Sequence, residues 1–222
     1  MEDLLPRSVR YILQNSDKFV DATVICVEVA ILSILIALVW GLMLVFPRMS
    51  RRKIISYPVR SYVELMRNSP LLVQMYLVYF GLPLFGIALS GFVSGMVAIA
   101  SQHGAFLSEV YRVAIESIPL GQIQGGQAIG LRRRQIMALI VLPQAISQVL
   151  PSIGNQLVLL VKDTSLMAAI GVMELTLTGK TMIERSGAAY EVFVAIAGIY
   201  LILTTFVGTV IRVVESRRQW RY

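Results

Sequence analysis

Charged residues are scarce in this chain, and cysteine and histidine are almost absent. Only 15% of the 222 residues are charged and 56% are hydrophobic, with a mean hydropathy of +0.72. Soluble domains carry charge on about a quarter of their residues, so this balance excludes an ordinary soluble domain. The single Cys26 excludes a disulfide framework within one chain. The single histidine, His103, has no second ligand candidate nearby, so we expect no metal site.

Two further motifs are missing. The sequence contains no GxxxxGK[ST] phosphate loop, so we expect no ATP site and no enzymatic activity in this chain. Its first 18 residues contain no apolar core of a signal peptide, so we expect no cleaved leader. The net charge of +7 does not indicate nucleic-acid binding, because the basic residues lie at the ends of apolar segments.

What is abundant is long apolar sequence, which predicts an all-α membrane protein. An apolar helix of about 20 residues spans a hydrocarbon core. About five spans are expected, at residues 20–46, 61–85, 92–116, 136–161 and 191–213. Basic residues follow the first, third and fifth spans, which places the N-terminus outside and the C-terminus in the cytoplasm. Residues 1–19 are then a periplasmic or interfacial segment, and residues 166–190 face outward or re-enter the membrane.

Ionisable residues interrupt the second and third spans. Glu64 and Arg67 are three residues apart, as are Glu109 and Arg112, so each pair shares a helical face. Such groups line a translocation path or form structural ion pairs, and for Glu64 and Arg67 we favour a role that joins the second span to its neighbour. Pro70 removes a backbone donor, which predicts a break in the second span.

The fourth span has one polar face. Its members are spaced by four, four and three residues: Gln144, Gln148, Ser152 and Asn155. A polar stripe on an apolar helix faces protein or water and not lipid. The stripe leads to a polar run over residues 162–165.

Four motifs then resemble one family, the permease subunits of bacterial binding-protein-dependent ATP-binding-cassette (ABC) importers, and within it the polar amino acid permeases. Gly130 is followed, after nine residues, by Ile140, Val141, Leu142 and Pro143, as in the family's cytoplasmic loop. The other three motifs lie at residues 64–74, 109–119 and 150–166. The resemblance covers about residues 20–215 and implies a type I importer permease fold. Residues 20–215 would form the transmembrane permease domain, and residues 216–222 a cytoplasmic basic tail.

The resemblance makes residues 119–135 the coupling loop that docks on a separate ATPase subunit. The implied contacts are Gln124, Gly125, Gly126, Ile129, Gly130, Leu131 and Arg132. Where the family has Glu-Ala-Ala, this chain has Gln124, Gly125 and Gly126. The loop thus lacks the acidic group and gains two helix-weakening glycines, which is typical of one member of an unequal permease pair.

The resemblance also implies a polar amino acid as substrate, moved by alternating access across the bacterial inner membrane. Candidate substrate contacts are Asn155, Gln156, Lys162, Asp163, Thr164 and Ser165, which offer donors and acceptors to a zwitterion. Lys162 and Asp163 alternatively form a structural or gating pair. The implied partners are ATPase subunits that hold ATP and magnesium, a second permease in a homo- or heterodimer, and an external amino-acid-binding protein. The alternatives are a secondary transporter, a channel subunit or a structural pseudo-permease.

Overall fold

A computed structural model describes residues 13–219, with side chains for residues 13–216. All regular structure in that range is helical. We number nine α-helices in chain order: α1 Ser16–Arg48, α2 Lys53–Asn68, α3 Leu71–Tyr76, α4 Gly91–Glu116, α5 Leu120–Ala128, α6 Arg133–Ile136, α7 Leu142–Asp163, α8 Leu175–Ser186 and α9 Ala189–Gln219. Residues 1–12 of the predicted segment 1–19 and residues 220–222 of the predicted tail lie outside the described residues.

Apolar composition and length agree with a membrane protein. Three described helical stretches are long and apolar enough to cross a bilayer, namely Ser16–Arg48, Arg133–Ile170 and Ala189–Ser216. A shorter apolar helix runs over Leu71–Phe85, through a π-helical turn and a 3₁₀ turn after α3. Helix α4 occupies the third predicted span.

Proline breaks the second predicted span where the sequence indicated. Helix α2 ends at Asn68 and α3 begins at Leu71, and between them Pro70 is extended, with φ −63° and ψ 133°. The amide of Gln74 reaches back and donates to the hydroxyl and carbonyl of Ser69, at 2.8 and 3.3 Å. The break is therefore held by a local hydrogen-bonded turn.

The chain divides into two compact units, and the first comprises Met1–Leu35, Ser69–Ala100 and Leu157–Val207. In its core, Phe19, Ala22 and Cys26 of α1 belong to one buried cluster with residues of α8 and α9, which are Leu175, Met182, Val192 and Ile196. A Cβ atom on Gly179 would lie 2.0 Å from Ile196 Cδ1, so only glycine permits this approach of α8 to α9.

A buried carboxylate organises the same unit. Glu174 is 0% exposed and caps α8, accepting from the backbone N–H groups of Thr176 and Leu177 at 2.9 and 2.8 Å. The Tyr200 hydroxyl of α9 donates to the same carboxylate at 2.9 Å, and the Cys26 thiol of α1 lies 3.9 Å from it. One side chain thus joins three helices.

The second unit comprises Ile36–Asn68, Ser101–Gln156 and Gly208–Tyr222. Leu44, Val63 and Ala105 form a buried cluster that joins α1, α2 and α4. Trp40 packs edge-to-face on Tyr62, and its Nε1–H donates to the Tyr62 hydroxyl at 3.1 Å. These contacts hold α1 and α2 against α4, the helix that leads into the predicted coupling loop.

Candidate functional site

The predicted coupling loop contains a short, well-terminated helix. Extended Pro119 precedes α5, with φ −57° and ψ 134°. At the other end Gly130 has φ +81°, the left-handed region that favours glycine. The N–H groups of Gly130 and Leu131 donate to the carbonyls of Gln127 and Gly126, at 2.9 and 3.0 Å, which is the Schellman pattern of helix termination. Gly130 in the family signature therefore has a conformational role.

Helix α5 is anchored on one side and open on the other. Ile118, Ile136 and Val141 form a buried cluster, against which pack Ile115, Ile123, Leu131 and Ile140. Two large apolar side chains remain outside the cluster, because Leu120 is 73% exposed and Ile129 is 77% exposed. A fixed helix that presents bare apolar groups is typical of a docking surface. We call Leu120 and Ile129, with the exposed face of α5 between them, the docking face.

The three residues that replace the family's Glu-Ala-Ala motif lie on both sides of α5. Gln124 and Gly125 are exposed, whereas Gly126 is buried. A Cβ atom on Gly125 would meet nothing within 4 Å, but one on Gly126 would lie 2.8 Å from Ile140 Cδ1 and 3.1 Å from Ile136 Cγ1. The two glycines are thus not equivalent, since only Gly126 packs against Ile136 and Ile140.

The arginines that follow α5 are exposed. Arg132, Arg133 and Arg134 all lie on the surface of the described chain. The Gln135 side chain accepts from the backbone N–H of Arg132 at 2.9 Å, which caps α6. The exposed guanidinium groups of Arg132, Arg133 and Arg134 add positive charge next to the docking face.

The polar stripe of the fourth span splits into a paired and an open part. Near α5, Gln144 donates to Gln122 at 2.5 Å, and the Ser117 hydroxyl donates to Gln148 at 2.6 Å. Ser152 is half-buried and Asn155 is exposed. Gln144 and Gln148 thus bond to the predicted coupling loop and to Ser117 just before it, while Asn155 remains on an open helix face.

Gln156 has a specific neighbour. The His103 ring is 3% exposed, and its Nδ1 lies 2.9 Å from Gln156 Oε1. The lone histidine is therefore a buried hydrogen-bonding residue that holds the Gln156 amide from α4. Sequence reasoning placed Gln156 among the candidates but found no link to His103, which lies 53 residues earlier.

The end of α7 differs from expectation at Thr164. Lys162 is exposed, and Asp163 and Ser165 are half-buried. Thr164, however, is 0% exposed, and its hydroxyl donates to the Val161 carbonyl at 2.8 Å. The hydroxyl of Thr164, a candidate substrate contact from the sequence, is therefore buried and bonded within the helix. The reason is that α7 continues directly into a 3₁₀ helix, Thr164–Ile170.

Three arginines meet around one carboxylate, that of Glu109. Arg112 donates to it at 2.5 Å as an i,i+3 pair, Arg48 of α1 contacts it directly, and Arg67 of α2 lies 3.5 Å away. Arg67 also stacks over the Phe106 ring at 5.5 Å. Arg67 thus links α2 to α4 through Glu109, and no ion pair between Arg67 and Glu64 occurs among the described residues. Glu64 is exposed. Glu109 is partly buried among the helices, and there the Arg67 guanidinium is partly desolvated.

Arg48 was missed as a structural residue. It is 7% exposed, although the sequence places it at the start of a basic run that indicates topology. Only its direct succession to the last apolar turn and Pro47 distinguished it. Within the described residues, no group of three His, Cys, Asp or Glu side chains could hold a metal.

Comparison with known proteins identifies the family. The family described as "Binding-protein-dependent transport system inner membrane component" matches residues 30–220. This chain belongs to that family. Its members lie in the bacterial inner membrane, which agrees with the predicted multi-pass localisation.

Named relatives in the family are amino acid permeases. The chain is 32% identical to the nopaline transport system permease protein NocM of Agrobacterium fabrum, over 93% of this chain and 90% of that protein. It is 34% identical to the glutamine transport system permease protein GlnP of Escherichia coli, over 85% and 87%. It is also 34% identical to the L-cystine transport system permease protein TcyL of Bacillus subtilis, over 84% and 81%.

Solved structures confirm the fold. A crystal structure of an amino acid ABC transporter with histidines superposes with a TM-score of 0.89 and 28% identity, covering 93% of this chain and 96% of that one. An inward-facing structure of the MetNI methionine ABC transporter matches with a TM-score of 0.65 at 18% identity, covering 88% and 92%. The type I importer permease fold predicted from the sequence is therefore confirmed.

Proposed function

We propose that this chain forms the path by which a polar amino acid crosses the bacterial inner membrane, powered by a separate ATPase subunit docked on α5. The observation that carries the proposal is the docking face. Its helix is fixed by a buried cluster, yet Leu120 and Ile129 are left bare. Relatives named for the transport of nopaline, glutamine and cystine support the substrate class.

Docking on this face relies on shape and apolar burial. Fully burying a side chain such as leucine or isoleucine contributes about 1.5–3 kcal/mol, so Leu120 and Ile129 are the strongest anchors available. Gln124 is neutral where the family has a glutamate, and Gly125 leaves open space beside it. Exposed Arg132–Arg134 add positive charge, so the complementary groove is expected to be apolar with an acidic border.

Movement of α5 would reach the path through hydrogen bonds. Gln122 of α5 accepts from Gln144 of α7, and Ser117, just before α5, donates to Gln148. A pull on α5 is therefore a pull on the polar stripe of α7. We infer that nucleotide-driven closure of the ATPase pair acts through these contacts to alternate access to the path.

Substrate contacts are proposed along α7 and just beyond it. Exposed Asn155 and Lys162 and half-buried Asp163 and Ser165 offer donors and acceptors to a zwitterion, and the Gln156 amide is held by His103. Both charged ends of an amino acid lose water on entry, so each needs a polar partner. Unequal pairing with a second permease that carries the full Glu-Ala-Ala motif fits the altered triplet, and an external binding protein would deliver the substrate.

Co-purification tests the docking face. Ile129→Asp places a charge on one of the two apolar anchors of the docking face and is expected to remove the ATPase subunit from the purified complex. Ile54→Asp is the matched control, because Ile54 is 85% exposed and lies outside α5. Retention of the ATPase by Ile129→Asp would contradict the proposal, as would equal loss in both variants.

Uptake tests the substrate segment. Asp163→Ala is expected to abolish amino acid uptake while the complex with the ATPase still assembles. Ser147→Ala, which removes the hydroxyl that donates to Pro143 O on α7, is the control and should transport normally. Normal uptake by Asp163→Ala would remove this segment from the path.

A further inference from the structure

An apolar groove in the second unit lies outside the docking face and the substrate segment. It has a cavity volume of about 210 Å³, and three helices form its walls. Helix α1 contributes Leu42, Val45 and Phe46, and α7 contributes Ala145, Ile146 and Val149 among others. Tyr111 of α4 is the one lining residue with a polar side-chain atom, and its hydroxyl donates to the Leu38 carbonyl at 3.4 Å.

The rim of the groove is bare. Leu42, Phe46 and Ile146 are 47%, 61% and 52% exposed. They lie on helical stretches that are long and apolar enough to cross a bilayer, so we expect the groove to face hydrocarbon and not water. Its lining satisfies a hydrocarbon chain and offers nothing to a polar substrate.

In the sequence, positive charge follows the α1 wall of the groove. Along α1, Leu42 lies roughly 9 Å from Arg48, and the chain continues into Arg51, Arg52 and Lys53. All three of these side chains are exposed, and none forms an ion pair within the described residues. No acidic residue occurs anywhere between Glu28 and Glu64.

The apolar groove and the basic turn, which consists of Arg51, Arg52 and Lys53, match the apolar chain and the charged headgroup of one amphipathic molecule. We propose that the groove holds an acyl chain of an anionic phospholipid of the cytoplasmic leaflet, with its phosphate on Arg51, Arg52 and Lys53. Arg48 is not part of this site, because it is buried and pairs with Glu109. A zwitterionic lipid would fill the groove equally well but would leave the three cations without a net countercharge, so the site selects anionic lipid.

The groove touches the moving parts of the permease, which gives the lipid a role beyond solvation. Its walls include Leu142 and Ala145, which flank Gln144, and Gln144 bonds to α5. A lipid seated there packs against the segment that links the docking face to α7. We therefore expect phosphatidylglycerol to change transport rate as well as to bind.

Native mass spectrometry on the purified complex, reconstituted in nanodiscs of phosphatidylglycerol or phosphatidylcholine, tests binding. One retained phosphatidylglycerol per chain is expected, and no retained phosphatidylcholine. Combined Arg51→Gln, Arg52→Gln and Lys53→Gln should weaken retention roughly a hundredfold. Arg212→Gln is the control, since Arg212 is an exposed cation on α9, and it should retain the lipid.

Groove-filling variants separate the site from general attraction to basic residues. Ile146→Trp or Leu42→Trp leaves the charge unchanged and should abolish retention, whereas Ile202→Trp, at a 69% exposed position on α9, should not. Retention in both groove variants, or in the basic-turn variant, would overturn the proposal. So would displacement by inorganic phosphate alone, which would indicate a headgroup site without the chain.

A photo-crosslinker at position 146 distinguishes the occupants. A benzoylphenylalanine there is expected to form an adduct with lipid mass. A cross-link to a second permease subunit would instead assign the groove to a protein interface and contradict the lipid site.

Discussion

Glu174 shows how much one side chain contributes when it is fully buried. Its carboxylate satisfies two backbone N–H groups at the start of α8 and the hydroxyl of Tyr200 on α9. Removing the carboxylate leaves these three donors without their partner inside the first unit. An unsatisfied buried donor costs about 1–3 kcal/mol, and the lost cap costs about 1 kcal/mol more.

Glu174→Ala is therefore expected to lower the Tm of the purified protein by roughly 5–10 °C. The matched control is Glu184→Ala, because Glu184 lies on the same helix but is exposed. Differential scanning fluorimetry in one detergent makes the comparison. Equal melting of the two variants would show that the Glu174 cluster is not structural.

His103 is expected to act by positioning Gln156. His103→Ala frees the Gln156 amide and should raise the KM for uptake by up to about tenfold, with little change in ATP hydrolysis without substrate. His103→Asn keeps a polar group near the Nδ1 position and should restore part of the affinity. Uptake kinetics check both variants, and an unchanged KM in His103→Ala would contradict the role.

Residue roles that depend on distant contacts could not be predicted from the sequence. Cys26 and Glu174 are 148 residues apart, and Arg48 of α1 contacts Glu109 of α4. Spacing along one helix predicted Glu109 with Arg112, since neighbours at i,i+3 are fixed by helical geometry. The same spacing does not decide whether two neighbours pair: Arg67 contacts Glu109 on another helix, whereas Glu64 is exposed.

At the scale of the element, α5 separates two glycines that look alike in the sequence. Gly125 faces open space and Gly126 faces Ile136 and Ile140. Alanine in place of glycine inside a helix gains about 1 kcal/mol where there is room. That gain in stability is available at position 125. At position 126 it is opposed, because the new methyl group would force Ile136 and Ile140 to shift.

Gly125→Ala is expected to preserve or raise ATPase activity coupled to transport. Gly126→Ala is expected to show lower coupled ATPase activity than Gly125→Ala. Substrate-stimulated ATP hydrolysis by the reconstituted complex measures the difference. Adding Gln124→Glu to Gly125→Ala, which moves the loop towards the family motif, should preserve docking. If Gly126→Ala matches or exceeds Gly125→Ala, the packing of Gly126 does not matter for coupling.

Elements with strong local signals were predictable. Pro70 marked the break between α2 and α3. The outcome at Thr164 was not predictable, because a polar run after an apolar helix looks the same whether the helix stops or tightens into a 3₁₀ turn. The difference lies in whether the hydroxyl finds a buried carbonyl, here that of Val161.

At the scale of the whole molecule, composition, topology and four short motifs were enough to indicate the family. Long apolar segments and basic clusters predicted a multi-pass helical protein, and the 0.89 TM-score to an amino acid ABC transporter structure confirms that fold. The substrate's identity did not follow, since relatives of similar identity are named for nopaline, glutamine and cystine. Small differences in a few polar contacts decide such selectivity, and they leave no periodic pattern in a sequence.

An ATPase bound to α5 is proposed to drive amino acid movement through this chain. The most direct test is uptake of radiolabelled polar amino acids into proteoliposomes that contain the permease, its ATPase and its binding protein. We expect accumulation that requires hydrolysable ATP on the ATPase side and disappears in Ile129→Asp. Accumulation driven by a proton or sodium gradient without ATP, and unaffected by Ile129→Asp, would contradict this central proposal.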